Sequence, residues 1–524
     1  MHSRLTAGPE RPDHYAALVL SYEELTPPER ALWDAFPEGR RVDLRTGVAE
    51  ADDPADGARW GAGRTVRAAV VAALLLGANE EERSGAVAAL RLVGARVSGR
   101  LDLSGAEISH TLSLEGCRLD EPVRLYGATT RTIVIADSWV PGVDAELARI
   151  GGDLDLRRSA VAGGALNLIN ARMAANLVVE DAEVSGPGEW AVLAGGLVLE
   201  GSVFGERLVT RGGLRVPGAQ LLNGLFLPGA RLENPGGVAL AAGAVVASSV
   251  DCSQGFTAQG EVRLPRTRIG GLLTFEGAHL DGGGTGTALD CASMSVGEFD
   301  HRLAATPSGV ADLRSAQATW FRDSEQSWPE KVLLDGFTYG SIRSGGDPAV
   351  AGADGTRARD EVARRLDWVR RNPGYAPQPY EQLAGWYRQI GHDDHARRVL
   401  LAKQRHRRLT LSLPARVWGH LLDVTVGYGY RPWMAGVWLL ALTLLGTVVF
   451  STHTPSAVKE GEGSPFQPFV YTLDLLVPIG DLGQRGGWYW SDGGVQWLAY
   501  LLIAFGWVLT TAIVAGVTRA LQKS

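Results

Sequence analysis

The chain has 524 residues, of which 45% are hydrophobic and 21% charged, so its composition excludes an intrinsically disordered protein. Glycine is abundant, with 67 residues, but there is no Gly-X-Y period, which excludes a collagen-like fold. Residues 1–350 hold 32 basic and 45 acidic residues, whereas residues 351–524 hold 19 and 13. We therefore expect no nucleic-acid partner for the acidic first part, because phosphate contacts need clustered Lys and Arg.

The three cysteines of the chain, Cys117, Cys252 and Cys291, are far apart and odd in number. That pattern argues against a disulfide framework and fits a reducing compartment. The first 20 residues lack an apolar core long enough for a secretory signal peptide. We expect the body of the protein to lie in the cytoplasm, with the three thiols as small core residues.

The segments that precede the repeats predict an N-terminal helical cap, which belongs to the segment 1–93. Both Thr65–Leu76 and Ser84–Leu92 show helical spacing of their apolar residues. A repeat protein needs covered ends, because exposed strand edges and apolar coil interiors invite aggregation. We therefore expect these two segments to cover the first coil.

Residues 94–344 contain an eleven-residue repeat, G-A-x-[IVL]-x-x-x-[LV]-x-[LV]-x, whose first copies begin at Gly94, Gly105, Gly116 and Gly127. Leu112 and Leu114 flank Ser113, an alternation typical of a short strand whose two leucines face inward. Two units, each with a five-residue and a six-residue side, would form one coil of about 22 residues. A small residue at each unit start allows a tight corner. The sequence therefore predicts a parallel, right-handed β-solenoid.

After the repeats, residues 345–356 (GGDPAVAGADGT) predict a linker, and residues 357–412 a helical hairpin region. Its two arms are Pro379–Ile390 and His395–Leu409, joined by a GHDD turn. Apolar and aromatic residues at helical spacing predict the seam between the arms. These residues are Tyr380, Leu383, Ala384, Tyr387, Ala396 and Val399.

Residues 413–524 predict a membrane domain, in which the uncharged segments 433–451 and 495–517 can each cross a bilayer, since about 20 apolar residues suffice. Tryptophans lie at or near the segment ends, as in interfacial belts. Eight Lys and Arg residues lie between positions 397 and 431, just before the first segment, whereas the loop between the segments has only Lys459 and Arg485. The bias predicts a multi-pass protein of the inner (plasma) membrane with both termini in the cytoplasm.

Three short motifs suggest chemistry. Thr425–Gly429 spells the potassium-filter string TVGYG, but it precedes the first membrane segment, which favours a juxtamembrane turn. Residues 468–482 lie between the two segments and predict a helix on the outer leaflet or, alternatively, a re-entrant helix. His392 and His395 flank two aspartates and have metal-ligand character, but their place at the hairpin turn favours Asp393 or Asp394 as a helix N-cap.

The chain lacks the common sequence motifs of cofactor-binding and catalytic sites. It has no GxGxxG after a strand, no CxxC, no Walker A run, no HExxH and no GxSxG. Residues 282–286 (GGGTG) are glycine-rich, but no helix pattern follows, so a loop is expected. We therefore assign no catalytic, cofactor-binding or metal-binding residue from the sequence.

The repeats 94–116, the hairpin 375–408 (YAPQPYEQLAGWYRQIGHDDHARRVLLAKQRHRR) and the stretch 468–484 (PFVYTLDLLVPIGDLGQ) together resemble a family of actinobacterial membrane proteins. The resemblance extends from about residue 60 onward. It implies a pentapeptide-type β-solenoid tethered to the membrane, and members often carry the label membrane-associated oxidoreductase. The units of this chain depart from the pentapeptide pattern, because they alternate five and six residues.

Three functions follow as hypotheses. The first is a non-enzymatic scaffold, in which a cytoplasmic solenoid presents its side to a protein partner and two helices hold it in the lipid bilayer. The second is the oxidoreductase activity that the resemblance implies. The third is a small ion channel built from the C-terminal helices. A bound redox cofactor would favour the second, and ionic currents would favour the third.

Overall fold

The computed structural model describes residues 21–79, 85–282, 286–344, 355–427, 433–459, 464–478, 480–491 and 493–521. The chain divides into two compact units, Met1–Pro373 and Gly374–Ser524. The predicted linker 345–356 lies outside the described residues except for its last two positions.

The first unit is a parallel β-solenoid of about eleven turns, whose described strands form sheets of 17 and 16 strands. The strands are β1 (Arg41–Asp43), β2 (Thr65–Arg67), β3 (Ala89–Val93), β4 (Arg96–Ser98), β5 (Thr111–Glu115), β6 (Arg118–Leu119), β7 (Val123–Arg124), β8 (Thr129–Thr130), β9 (Ile133–Ala136), β10 (Trp139–Val140), β11 (Val143–Asp144), β12 (Arg149–Ile150), β13 (Leu154–Asp155), β14 (Ala160–Ala162), β15 (Leu166–Asn167), β16 (Arg172–Met173), β17 (Leu177–Val178), β18 (Glu183–Leu193), β19 (Val198–Leu199), β20 (Ser202–Phe204), β21 (Val209–Arg215), β22 (Gln220–Phe226), β23 (Arg231–Ala241), β24 (Val246–Asp251), β25 (Thr257–Arg263), β26 (Arg268–Thr274), β27 (His279–Asp281), β28 (Thr287–Asp290), β29 (Ser295–His301), β30 (Val310–Asp312), β31 (Gln317–Asp323), β32 (Lys331–Leu333) and β33 (Thr338–Ser344).

The strand register confirms the predicted coil length. Leu112 pairs with Ile133, and Ile133 pairs with Leu154, so a coil there takes 21 residues. Farther along, Leu177 pairs with Val203, and that coil takes 26 residues because it carries an insertion in β18. Apolar residues of successive coils therefore stack in columns that fill the interior.

The cross-section of the solenoid changes along its length. In the earlier coils each turn has separate short strands, such as β10, β11, β12 and β13. From β22 onward one long strand of the first sheet replaces two short strands. Strand β22 shows this, since it pairs with both β19 and β20. The merged strands keep a register shift at the former corner, as between Ala247 and Val250 of β24.

The corners depend on a left-handed backbone conformation. The repeat glycines Gly105 and Gly127 have φ of +68° and +62°, which confirms their predicted role. The turn around Gly105 is closed by the Ala106 N–H, which donates to the carbonyl of Leu103 at 3.1 Å. In later coils the same conformation is held by other residues, among them Asp137, Leu147, Arg158, Asn170 and Asp181.

The N-terminal part of the unit differs from its prediction. Helix α1 (Pro27–Ala35) precedes the sheets, and helix α2 (Ala68–Leu75) is shorter than expected, because Thr65–Arg67 is strand β2 and pairs with β4. The predicted helix Ser84–Leu92 is wrong, since Ala89–Val93 is strand β3 and pairs in parallel with β5. Leu90 and Leu92 are buried around exposed Arg91, a period of two.

A buried carboxylate ties α1 to the solenoid. Glu29 accepts hydrogen bonds from the Arg67 guanidinium at 2.8 Å and from the Thr26 N–H at 2.9 Å. Burial alone would raise the pKa of Glu29, but the bonds from Arg67 and Thr26 outweigh it and lower that pKa to about 2. The Glu29 side chain is therefore ionised at neutral pH.

Helix α3 (Gly355–Arg370), which the sequence analysis grouped with the helical hairpin, lies in the first unit. The second unit begins with α4 (Pro377–Gln389) and α5 (Asp393–Leu409), and all six predicted seam residues are buried there, so the hairpin is confirmed. It continues with α6 (Leu413–Val426), α7 (Trp433–Ser451), α8 (Pro468–Leu476) and α9 (Gly493–Leu521). Two short strands, β34 (Ser456–Ala457) and β35 (Trp488–Tyr489), pair antiparallel between these helices.

Candidate functional site

The last coils of the solenoid carry polar side chains in a column that is otherwise apolar. Leu227, Cys252 and Phe275 occupy equivalent inward positions in successive coils and are fully buried. The next two positions of the column hold His301 and Asp323, which are equally enclosed. Two titratable groups thus lie inside the end of the solenoid, where burial is costly unless they are hydrogen-bonded.

A buried ion pair satisfies Asp323. Arg365 of α3 donates to both carboxylate oxygens, at 2.7 and 2.8 Å, and both side chains are under a tenth exposed. The Trp328 indole N–H adds a third bond to Asp323 at 2.7 Å. Such a bidentate pair fixes the orientation of α3 on the end of the solenoid, because breaking it would leave two buried charges without their opposite charge.

The chain after α3 covers the open edge of the last strands. The Val332 N–H donates to the Arg371 carbonyl at 3.2 Å, and the Leu334 N–H donates to the Asn372 side chain at 2.8 Å. Both N–H groups lie on the open strand edge, where a further coil would otherwise pair. Helix α3 and residues 371–372 thus close this end of the solenoid.

A cleft of about 400 Å³ lies beside this closure. Its lining has four acidic and three basic side chains, with Trp328 and Trp368. The indole N–H of Trp368 is buried without a hydrogen-bond partner among the described residues. Asp323, Arg365 and Arg371 already bond within the protein, so these three lining side chains stabilise the closure.

His301 is not accessible for acid–base chemistry. Its Nε2 lies 3.1 Å from the Ser327 carbonyl, and the rings of Phe299 and Trp328 pack against it. Burial lowers the pKa of His301 to about 4, although Asp323 acts in the opposite direction. The imidazole is therefore neutral at pH 7 and serves as a core residue.

The cysteines occupy the core positions that the sequence predicts. Cys117, Cys252 and Cys291 are fully buried and unpaired. Burial raises the pKa of the Cys117 thiol to about 12 and raises the pKa values of the other two thiols as well. These thiols are therefore unreactive in the folded protein.

The structure places the remaining motifs in local structure. The predicted N-cap at Asp393 or Asp394 is wrong, since His392 is the N-cap residue of α5 and the two aspartates are its first two helical residues. The rings of His392 and His395 stack at 5.0 Å, and the described residues contain no group of three potential metal ligands. Thr425 and Val426 end helix α6, whereas the rest of TVGYG beyond Gly427 lies outside the described residues. Residues 283–285 of the glycine-rich loop also lie outside the described residues.

Helices α7 and α9 are long and apolar enough to span a membrane. In the most apolar stretch of 18 residues, only 22% of α7 and 28% of α9 is buried inside the protein. Neither helix therefore resembles the core helix of a soluble protein, which is mostly buried. Large apolar side chains instead point outward. They include Leu440, Leu444 and Val448 of α7 and Trp497, Leu501, Phe505 and Val508 of α9.

Helix α8 packs between α7 and α9. A side chain at Gly446 of α7 would collide with Thr472, and one at Gly506 of α9 would collide with the Leu476 carbonyl. Gly506 is the midpoint of the predicted span 495–517, so the end of α8 lies beside the middle of that span. The glycines thus allow a helix of nine residues to enter between the two long helices.

Asp474 holds the segment that returns from α8. Its carboxylate accepts hydrogen bonds from the backbone N–H groups of Leu482, Gln484 and Arg485, at 3.0, 3.0 and 2.7 Å. The Gln484 side chain in turn donates to Ser464 at 2.8 Å. Backbone groups that are not in a helix thereby find hydrogen-bond partners inside the protein.

Comparisons with family models, curated proteins and solved structures find no match to this chain. The ion pair of Asp323 with Arg365 escaped the sequence analysis, because 42 residues separate its members and no spacing rule joins them. Asp474 escaped it for a different reason, because its partners are backbone N–H groups, which no side-chain pattern in the sequence reveals. A single aspartate within the apolar stretch LDLLVP was the one available signal, since such residues are costly unless partnered.

Proposed function

We propose that the protein is a membrane-anchored scaffold, in which α7 and α9 cross the plasma membrane and the solenoid presents its side to a protein partner. The observation that carries this proposal is the outward-facing apolar surface of the two helices. In water such a surface would cost roughly 25 cal/mol for each Å² of apolar area, whereas lipid removes that cost. A lipid bilayer is therefore its natural surrounding.

The orientation follows from charge. Basic residues are concentrated before α7 and few lie between the two helices, so we place both termini and the solenoid in the cytoplasm. The buried, unpaired thiols are consistent with that reducing compartment. The α1 and α2 region, attached through Glu29 and Arg67, is our candidate for the N-terminal cap.

The solenoid side offers an extended surface of ordered strands. Leu272 and Trp320 face outward in one column with Glu298 between them, and Leu222 of β22 is also exposed. The acidic balance of this part disfavours nucleic acid and leaves a protein as the partner that we propose.

Reporter fusions test the anchoring and the orientation. Fusions before Met1 and after Ser524 should report cytoplasm, whereas a reporter inserted at Glu462 should report the outside. Alkaline carbonate should leave the full-length chain in the membrane pellet. Release into the supernatant, or an outside signal from either terminus, would contradict the proposal.

A photo-crosslinking amino acid at position 272 tests the scaffold role. In cells it should yield one discrete adduct with another protein, and the same label at Gly188, which is exposed on an insertion, should not. Equal labelling patterns at both positions would count against a partner on this face.

A second function, an ion channel, is favoured by the position of α8. A short helix that ends beside the midpoint of α9, followed by a non-helical return, has the layout of a re-entrant loop. Planar-bilayer recordings of the purified full-length protein test this function. Currents abolished by Asp474→Ala but retained in Asp394→Ala would support a channel, and electrically silent bilayers would exclude one.

A further inference from the structure

Helix α6 carries an apolar stripe that faces away from the rest of the second unit. Leu413, Val417 and Val424 are 74%, 61% and 52% exposed. At about 100° per residue these three positions fall within an arc of roughly 40° on the helix surface. Three large apolar side chains in so narrow an arc form a patch that needs a partner.

Contacts on the other side of α6 fix the direction of this stripe. Gly419 is buried, and Asp423 accepts hydrogen bonds from Arg405 at 3.0 Å and from Arg408 at 3.1 Å. Both arginines belong to α5, so the polar face of α6 is held against that helix. The stripe is thereby turned outward.

One hydrogen bond sets the level of α6 relative to α7. The Trp438 indole N–H donates to the Val424 carbonyl at 3.0 Å. Trp438 follows Trp433, the first residue of α7, by five residues, which is about 7.5 Å along a helix. Helices that lie in the membrane plane bury their apolar face about 5–10 Å into the headgroup boundary, where tryptophan is also enriched.

We propose that α6 lies in the plane of the membrane, with Leu413, Val417 and Val424 inserted at the boundary between headgroups and acyl chains. The occupant of the stripe is a lipid bilayer, because Val424, at one end of the stripe, is bonded to α7, whose own outward side chains are apolar. This inference rests on the proposed anchoring by α7 and α9. Through Asp423, α6 then holds α5 next to the headgroups.

Spin labels on the full-length protein in vesicles of phosphatidylcholine and phosphatidylglycerol test this placement. Cysteines introduced by Leu413→Cys, Val417→Cys and Val424→Cys take the label, whereas the three buried native thiols do not react. Leu444→Cys on α7 is the control for membrane depth, and Asp394→Cys at the hairpin turn is the control for water. Collision rates with oxygen and with a water-soluble nickel complex report the depth of each label.

The expected result is that the three α6 labels collide with oxygen several-fold more often than the label at 394, at a depth shallower than that at 444. If the nickel complex reaches the α6 labels as readily as 394 while 444 stays in lipid, α6 is not in the membrane but the anchoring stands. Nickel access at 444 overturns the anchoring itself. Labels on α6 shielded from both reagents show that protein covers the stripe, which also overturns the inference.

Discussion

At the corners of the solenoid, single residues adopt the left-handed backbone conformation. Gly105 has φ of +68°, and a Cβ there would meet no atom within 4 Å, so only the backbone conformation disfavours a side chain. Gly63 has equally open surroundings but lies in a short 3₁₀ turn without positive φ. Since neither site is crowded, comparing alanine substitutions at the two glycines isolates the effect of the left-handed backbone conformation.

We predict that Gly105→Ala destabilises the solenoid by about 1–2 kcal/mol, because alanine pays the left-handed penalty. Gly63→Ala should instead stabilise it by about 0.5 kcal/mol through a less flexible unfolded chain. Denaturant unfolding of the full-length protein in detergent, followed by circular dichroism, measures both. Losses of equal size would mean that the corner conformation is not what Gly105 provides.

The buried imidazole of His301 makes stability depend on pH. Its pKa is lowered to about 4 by burial, from an ordinary value near 6.5, so the unfolded chain binds a proton more readily than the folded chain between these values. The contribution of His301 to the free energy of unfolding is therefore complete above about pH 6.5. It declines as the pH falls toward 4, by up to about 3 kcal/mol.

His301→Gln provides the matched variant for this pH dependence. Its amide can still donate to the Ser327 carbonyl, but it does not titrate. We expect the variant to flatten the slope of unfolding free energy against pH between 4 and 6.5. An unchanged slope would assign the pH dependence to other groups.

At the scale of the strand, β5 tests the register of a coil. Leu112 and Leu114 face inward as predicted, and Ser113 faces the other way, where its hydroxyl donates to Glu115 at 3.2 Å. Ser113 is only 7% exposed, which is more buried than the repeat pattern suggests. Its cross-strand neighbours are Arg91 and Val134.

Replacing Leu114 by Asp should cost several kcal/mol, because the interior offers the charge no partner. Replacing Ser113 by Asp should cost about 1 kcal/mol, since a second carboxylate then faces Glu115 while Arg91 lies alongside. Thermal unfolding of both variants in the full-length protein gives the comparison. A Ser113→Asp loss as large as that of Leu114→Asp would indicate the opposite register.

Much of the solenoid could be predicted because two features recur together every eleven residues around Gly105. One is a glycine at a left-handed corner, and the other is a pair of apolar residues that face inward. Between Gly127 and Gly196 the glycine period is interrupted in the sequence, since Asp137, Leu147 and Arg158 hold the same corners. Strand β3 was mistaken for a helix because short apolar runs fit either period. Pairs such as Asp323 with Arg365 were out of reach, because they form only once the last coil is complete.

At the scale of the whole molecule, the packed interior bears on redox chemistry. The rings of Phe299 and Phe321 lie 5.7 Å apart in successive coils, and side chains fill the columns around them. A flavin or haem needs a recognisable binding pattern and space. The sequence shows no such pattern, and the interior columns are occupied.

We therefore predict that the detergent-purified full-length protein shows no absorption above about 320 nm and no stoichiometric flavin, haem or metal. Absorption spectra, mass spectrometry and metal analysis of the same sample measure this. One tightly bound redox cofactor would replace the scaffold proposal with the oxidoreductase activity that the family resemblance implies.

The closure at the end of the solenoid also has a mechanical meaning. The chain passes from α3 and Asn372 directly into the second unit at Gly374, so tension applied through that unit reaches this closure before any strand. Coils of a solenoid contact only their neighbours and would peel away one after another once the last is lost. The bonds of Asn372 with Leu334 and of Arg365 with Asp323 therefore set the force at which the solenoid begins to unfold from this end.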